Sequence, residues 1–88
     1  MNNKVYKISV IESERGWGSK IDDYMVCLTH EDAILFKKEF NSDNNLDVVP
    51  DWYMYADGEP ISIEIKDNQF NYLKENKRVW FKSLKRIK

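Results

Sequence analysis

Eighty-eight residues, 42 % of them apolar and 14 % aromatic, suit one compact domain with one aromatic-rich core; the 33 % that are charged keep it in water and argue against disorder. No apolar run approaches the ~20 residues that cross a bilayer, and Met1-Asn2-Asn3-Lys4 leads into an alternating segment instead of a signal-peptide core, so the expectation is a cytoplasmic protein with no membrane contact. The single cysteine, Cys27, excludes an internal disulfide and any cysteine-cluster zinc site. The net charge of -1 hides a segregation: residues 1–73 hold fourteen acids against seven bases, whereas residues 74–88 hold seven bases against Glu75 alone.

From Val5 to Ile11, Tyr6, Ile8 and Val10 share one face of an extended strand, with Lys7 and Ser9 opposite, a half-buried pattern. Asp23 to Leu28 repeats it, with Tyr24, Val26 and Leu28 against Met25 and Cys27, which predicts a second strand covered on both faces. The stretch Glu12 to Asp22 reads as a long hairpin connection whose tip presents Trp17 between Arg15 and Lys20.

Thr29 is placed to cap a helix over residues 30–41, with Asp32 returning the bond in a capping box and Ala33, Phe36 and Phe40 forming its apolar stripe. That helix should pack on the first hairpin, and Asn41-Ser42-Asp43-Asn44-Asn45 should end it. After Pro50, Trp52, Met54 and Ala56 alternate with Tyr53 and Tyr55. Asp57-Gly58-Glu59-Pro60 then reads as a turn into Ile61 to Ile65, making a second hairpin with its isoleucines on the core.

The last segment fits a helix from about 67 to 87, because positions 70, 73, 77, 80, 84 and 87 are Phe, Leu, Lys, Trp, Leu and Ile. Asp67 or Asn68 would cap it, and Lys74, Arg78, Lys82 and Lys85 would give it a basic outer face. The competing reading breaks the helix near Asn76 and makes Arg78 to Leu84 an edge strand. The predicted class is α+β: a small antiparallel sheet in ββαββα order, with the helices on one face.

Few residues stand in patterns that catalysis or metal binding requires. His30 has no second histidine or cysteine for a metal site, and a Cys27/His30 nucleophile pair lacks an orienting group. The Asp43 to Asp47 segment opens like a calcium loop but has Val48 and Met54 where glycine and glutamate are needed. Gly16 to Lys20 lacks phosphate-loop spacing, and the paired acids Asp22/Asp23, Glu31/Asp32 and Asp57/Glu59 fall where turns and helix starts favour acids. The expectation is no enzyme, no metal and no cofactor.

Two constellations concern binding. Trp17, Tyr53 and Tyr55 form a candidate protein-binding set, since Trp and Tyr are enriched at interaction hot spots. Lys74, Lys77, Arg78, Lys82, Lys85 and Arg86, interleaved with Trp80 and Phe81, form an alternative surface for RNA or other nucleic acid. The acidic body and basic terminal segment also complement one another between two copies, which allows a homo-oligomer.

The runs Trp17-Gly18-Ser19-Lys20-Ile21-Asp22, Thr29-His30-Glu31-Asp32-Ala33 leading to Phe40-Asn41, and Val49-Pro50-Asp51-Trp52-Tyr53 resemble the short accessory proteins of large T4-like tailed phages, over residues 5–65. The bias toward Asn, Lys, Asp and Ile suits an AT-rich genome. The resemblance carries no functional residue. It implies a class of early factors that bind and inhibit or redirect a host protein, including defence systems and toxin ribonucleases, in the host cytoplasm.

Overall fold

The computed structural model describes residues 3–14, 16, 18–43 and 52–87. The elements are β1 (Asn3–Glu14), β2 (Gly18–Cys27), α1 (His30–Asp43), β3 (Trp52–Ile65), α2 (Asp67–Asn76), β4 (Arg78–Trp80) and α3 (Phe81–Leu84). One antiparallel sheet runs in the order β3-β1-β2-β4, with β1 paired along its length on both sides. The class is α+β, as the alternation patterns imply, but the element order is ββαβαβα and helices lie on both faces of the sheet.

Both faces are covered because both are apolar. Even-numbered residues of β1 and odd-numbered residues of β2 put Ile8, Val10, Met25 and Cys27 on one face, where Ala33 and Phe36 of α1 and Ala56 of β3 complete a buried cluster. On the other face Val5, Val26, Ile65 and Val79 pack with Leu73 of α2 and Leu84 of α3. β2 is thus sandwiched as its pattern predicts, and β1 is buried on both faces around Val5 and Ile8, not half-buried.

Three expectations are overturned. The first hairpin is tighter than expected: Glu14 pairs with Gly18, so residues 12–14 and 18–22 belong to the ladder, with a bulge opposite Val10 and Ile11. The second hairpin does not exist. Residues 52–65 form one strand that follows β1 throughout, and Asp57-Gly58-Glu59-Pro60 is a bulge, with Ser9 facing Asp57 and Lys7 facing Ile61. A twelve-residue β1 offers partners to both halves of β3, so an irregular step costs less than a reversal, and Gly58 takes the φ of 80° that the step requires. Of the three isoleucines only Ile65 is buried; Ile61 is 55 % exposed.

The third correction concerns the terminal segment, which is not one basic helix. α2 ends at Asn76, whose Nδ2 donates to the Tyr72 carbonyl at 2.8 Å, and Lys77 adopts φ 67°, ψ −50° while its N–H still bonds Leu73 O at 2.7 Å. The chain then extends, and Arg78, Val79 and Trp80 pair with Cys27, Val26 and Met25. A positive φ at a lysine costs about 1–3 kcal/mol; the ladder, the burial of Val79 and the ion pair described below offset it. Of the helical stripe, Phe70, Leu73, Leu84 and Ile87 serve one core, whereas Trp80 joins the α1 core across the sheet. The edge-strand alternative named the right region but ran too long, because α3 starts at Phe81.

The short helices are held by side chains from elsewhere. Thr29 Oγ1 accepts from Asp32 N at 3.1 Å, as expected for the α1 cap. α2 is closed not by Asp67 or Asn68 but by Gln69, whose Oε1 accepts from Lys66 N at 2.9 Å and whose Nε2 donates to Leu84 O at 3.2 Å. α3 has no capping side chain of its own; Asp23, 8 % exposed, accepts from Lys82 N at 3.2 Å and from Tyr24 N at 2.7 Å. On the edge strand β3, the Asn41 amide accepts from Ala56 N and donates to Ala56 O at 2.8 and 3.0 Å, taking the place of a neighbouring strand. Replacing Leu84, which is fully buried, by alanine is expected to cost about 2–5 kcal/mol, read as a lower urea midpoint at unchanged slope.

Candidate functional site

The register of the sheet arranges the α2/α3 face in rows. Ile61, Lys7, Val26 and Val79 lie side by side; next come Asp57, Ser9 and Tyr24; then Tyr55, Ile11 and Ile21; and last Tyr53, Ser13 and Ser19. The Ser19 hydroxyl donates to Ser13 Oγ at 3.2 Å, in keeping with a shared face. α2 and α3 occupy the first row, and Phe81 of α3 reaches Tyr24 in the second. Tyr53, Tyr55, Ile11 and Ile21 belong to neither buried cluster, and Ile21 is 51 % exposed. The Tyr53 and Tyr55 rings stack at 5.7 Å. Among the described residues no helix packs across these outer rows, so the sheet ends in an aliphatic and aromatic row in which Ile11, Tyr53 and Tyr55 are half-buried and Ile21 is exposed.

This face contains two of the three residues expected to bind protein, Tyr53 and Tyr55; Trp17 lies outside the described residues, as do residues 44–51 of the rejected calcium segment. Sequence reasoning missed Ile11 and Ile21. Their signal was present: Ile11 already closes the expected first strand, and Ile21 comes into step with the tyrosines once Glu12 to Asp22 is read as strand.

At the inner border of this face stands a cation–aromatic cluster. Lys7 Nζ lies 4.1 Å from the Tyr24 ring centre and 4.9 Å from that of Phe81, Lys85 Nζ lies 5.1 Å from Phe81, and Tyr24 meets Phe81 edge-on at 5.8 Å. Neither lysine has a carboxylate within ion-pair distance among the described residues.

The six cations of the nucleic-acid alternative do not form one stripe. Lys74 sits over Phe70 on α2, Lys77 occupies the kink, Lys82 is on α3, and Lys85 and Arg86 form the turn after it. Arg78 points to the opposite side of the sheet, where Nε and Nη2 donate to the two Asp32 carboxylate oxygens at 3.1 and 2.7 Å and Nη1 to Glu39 at 3.3 Å. It also stacks over Phe36 at 5.7 Å. Asp32 therefore serves Arg78 and not a capping box. Beside this pair, Leu28, Thr29, Asp32, Asn76, Lys77 and Arg78 line an open groove of about 400 Å³.

The same cluster settles Cys27. Burial pushes its thiol up to about 12, with the Asp32 carboxylate adding to the rise. The polar neighbours of the thiol are Asp32 and Arg78; His30 instead meets Tyr6 edge-on at 5.6 Å. Among the described residues no three His, Cys, Asp or Glu side chains are grouped to hold a metal, and no helix is long and apolar enough to cross a membrane. The chain matches no protein-family model, no curated protein and no solved structure.

Two outcomes follow from the Asp32 cluster. The hydrogen bonds from Arg78 hold the Asp32 carboxyl below the usual carboxylate range, outweighing the opposite pull of burial. The stabilisation from this ionised form is complete above the unfolded value of ~3.9 and is lost as pH falls through the lower folded value. Arg78→Gln is expected to cost about 1–2 kcal/mol at pH 7 and to remove that acid-limb dependence from urea titrations between pH 2 and 5. Native Cys27 is expected to resist iodoacetamide at pH 8 and to react once urea unfolds the chain, as mass spectrometry of the adduct reads.

Proposed function

We propose that this chain is a non-catalytic binding protein, of the phage accessory type, that engages a host protein through the uncovered outer rows of its sheet. The observation that carries the reading is the cross-strand row Tyr55, Ile11 and Ile21, continued by Tyr53, which stays outside both cores on a rigid antiparallel support. Aromatic and aliphatic side chains presented without an ordering cost are what a hot spot requires. Catalysis has no comparable support: the thiol is held neutral, and Asp23 and Asp32 are spent on a helix cap and an ion pair. A partner such as a defence component or a toxin ribonuclease fits the class that the sequence resemblance implies, and binding there would inhibit or modulate it.

The nucleic-acid alternative draws less support, because Arg78 is committed to Asp32 and Glu39 and the remaining five cations are divided among α2, the kink and the α3 end. The test is affinity capture from a bacterial lysate, with and without ribonuclease. A protein retained by the wild-type chain is expected to be lost, by roughly thirtyfold in affinity, with Ile21→Lys and with the double change Tyr53→Ser, Tyr55→Ser. It should persist with Tyr72→Ser, an exposed tyrosine on α2. Capture that ribonuclease abolishes, or that ignores the outer rows, contradicts the reading.

A further inference from the structure

We infer that the ligand of the outer face is an acidic-apolar protein segment, with aliphatic or aromatic side chains on the Tyr55–Ile11–Ile21 row and carboxylates against Lys7 and Lys85. The inference rests on the binding role proposed above and adds the chemistry and direction of the partner. Its ground is charge complementarity. Residues 1–73 hold fourteen acids against seven bases, yet among the described residues the border of this face carries two ammonium groups on one phenyl ring with no carboxylate within ion-pair distance of either.

The positions of those groups give the surface a polarity. Lys7 projects from the row next to Val26, Lys85 from the turn after α3, and Lys82 is exposed on α3 itself. Asp57 stands at the opposite, β3 margin, one row nearer the tyrosines. A bound segment that sets its apolar residues on Ile11 and Ile21 meets cations toward α3 and an acid toward β3, so its carboxylates belong at the α3 end. Tyr24 and Phe81 hold Lys7 by its ring contacts and limit the freedom it would otherwise lose on pairing. RNA is the poorer occupant: the row is aliphatic at its centre, the two tyrosines stack on each other, and lysine is a point charge without the planar fork that reads phosphate in pairs.

The test is selection of a displayed random peptide library on the full-length chain, in parallel with two variants, Lys7→Glu with Lys85→Glu, and Lys82→Glu with Lys85→Glu. Circular dichroism and urea midpoints establish that each is folded, and the second leaves Lys7 in place should the first not fold. Wild type is expected to enrich peptides with Asp or Glu beside Leu, Ile or Phe. Their affinity should fall roughly tenfold on either charge reversal and with rising salt, and the reversed chains should enrich Lys or Arg beside the same apolar residues. Apolar peptides without acids, lost with Ile21→Lys but indifferent to the lysines, would overturn this inference and leave the binding face standing. No enrichment, together with binding of a twelve-residue oligouridine, would overturn both. A stable dimer in sedimentation that Ile21→Lys dissociates would identify a second copy as the occupant and overturn the inference as well.

Discussion

The structure depends on the interruption at Lys77. Twelve residues of β1 span about 40 Å, whereas the ten residues of α2 span about 15 Å. An unbroken helix over residues 67–87 would have covered twice the length of sheet. Because the chain turns at Lys77 and spends Arg78 to Trp80 on a fourth strand, the helical layer on that face stays short, and the outer rows of β1, β2 and β3 extend beyond it. The extents of 46 × 23 × 20 Å record the same mismatch. The candidate binding face is a consequence of that break.

A positive φ at a β-carbon residue persists only where its surroundings determine it. Here the determinants come from both faces. Val79 enters the core with Leu73 and Leu84, Trp80 enters the core with Phe36, and Arg78 is fixed by Asp32 and Glu39 of α1. Alternation along three residues sends these side chains to opposite layers, which a helix cannot do. Asp23 then holds the start of α3, and Gln69 ties α2 to its end. β4 thus joins the two layers, and the ion pair with α1 closes the assembly across 46 positions of sequence.

Local alternation made β1, β2, α1 and the α+β class legible, since Tyr6, Ile8, Val10, Met25 and Cys27 need only a period of two and Ala33, Phe36 and Phe40 a period near 3.6. What was not legible depended on partners. Asp57-Gly58 is a turn signal in isolation, but a long β1 made it a bulge. Residues 67–87 satisfied a helical period because Phe70, Leu73, Leu84 and Ile87 do reach one core, through two helices instead of one; Trp80 fell on the stripe by coincidence. The candidate tyrosines Tyr53 and Tyr55 were visible as alternating aromatics and Ile11 as the end of the first strand, whereas Ile21 was hidden inside an expected loop. Asp23, Asp32 and Asn41 act on residues 59, 46 and 15 positions away, and no spacing rule marks such pairs.

The most direct measurement of this account is the broadening of side-chain resonances by a soluble gadolinium chelate on the intact chain. The account predicts strong broadening of the Ile21 methyl groups and of the Tyr55 ring, and protection of Val5 and Val26 beneath α2 and α3 on the same face. Ile21 and Tyr55 as shielded as Val5 would mean that the helical layer covers the outer rows, and would contradict it.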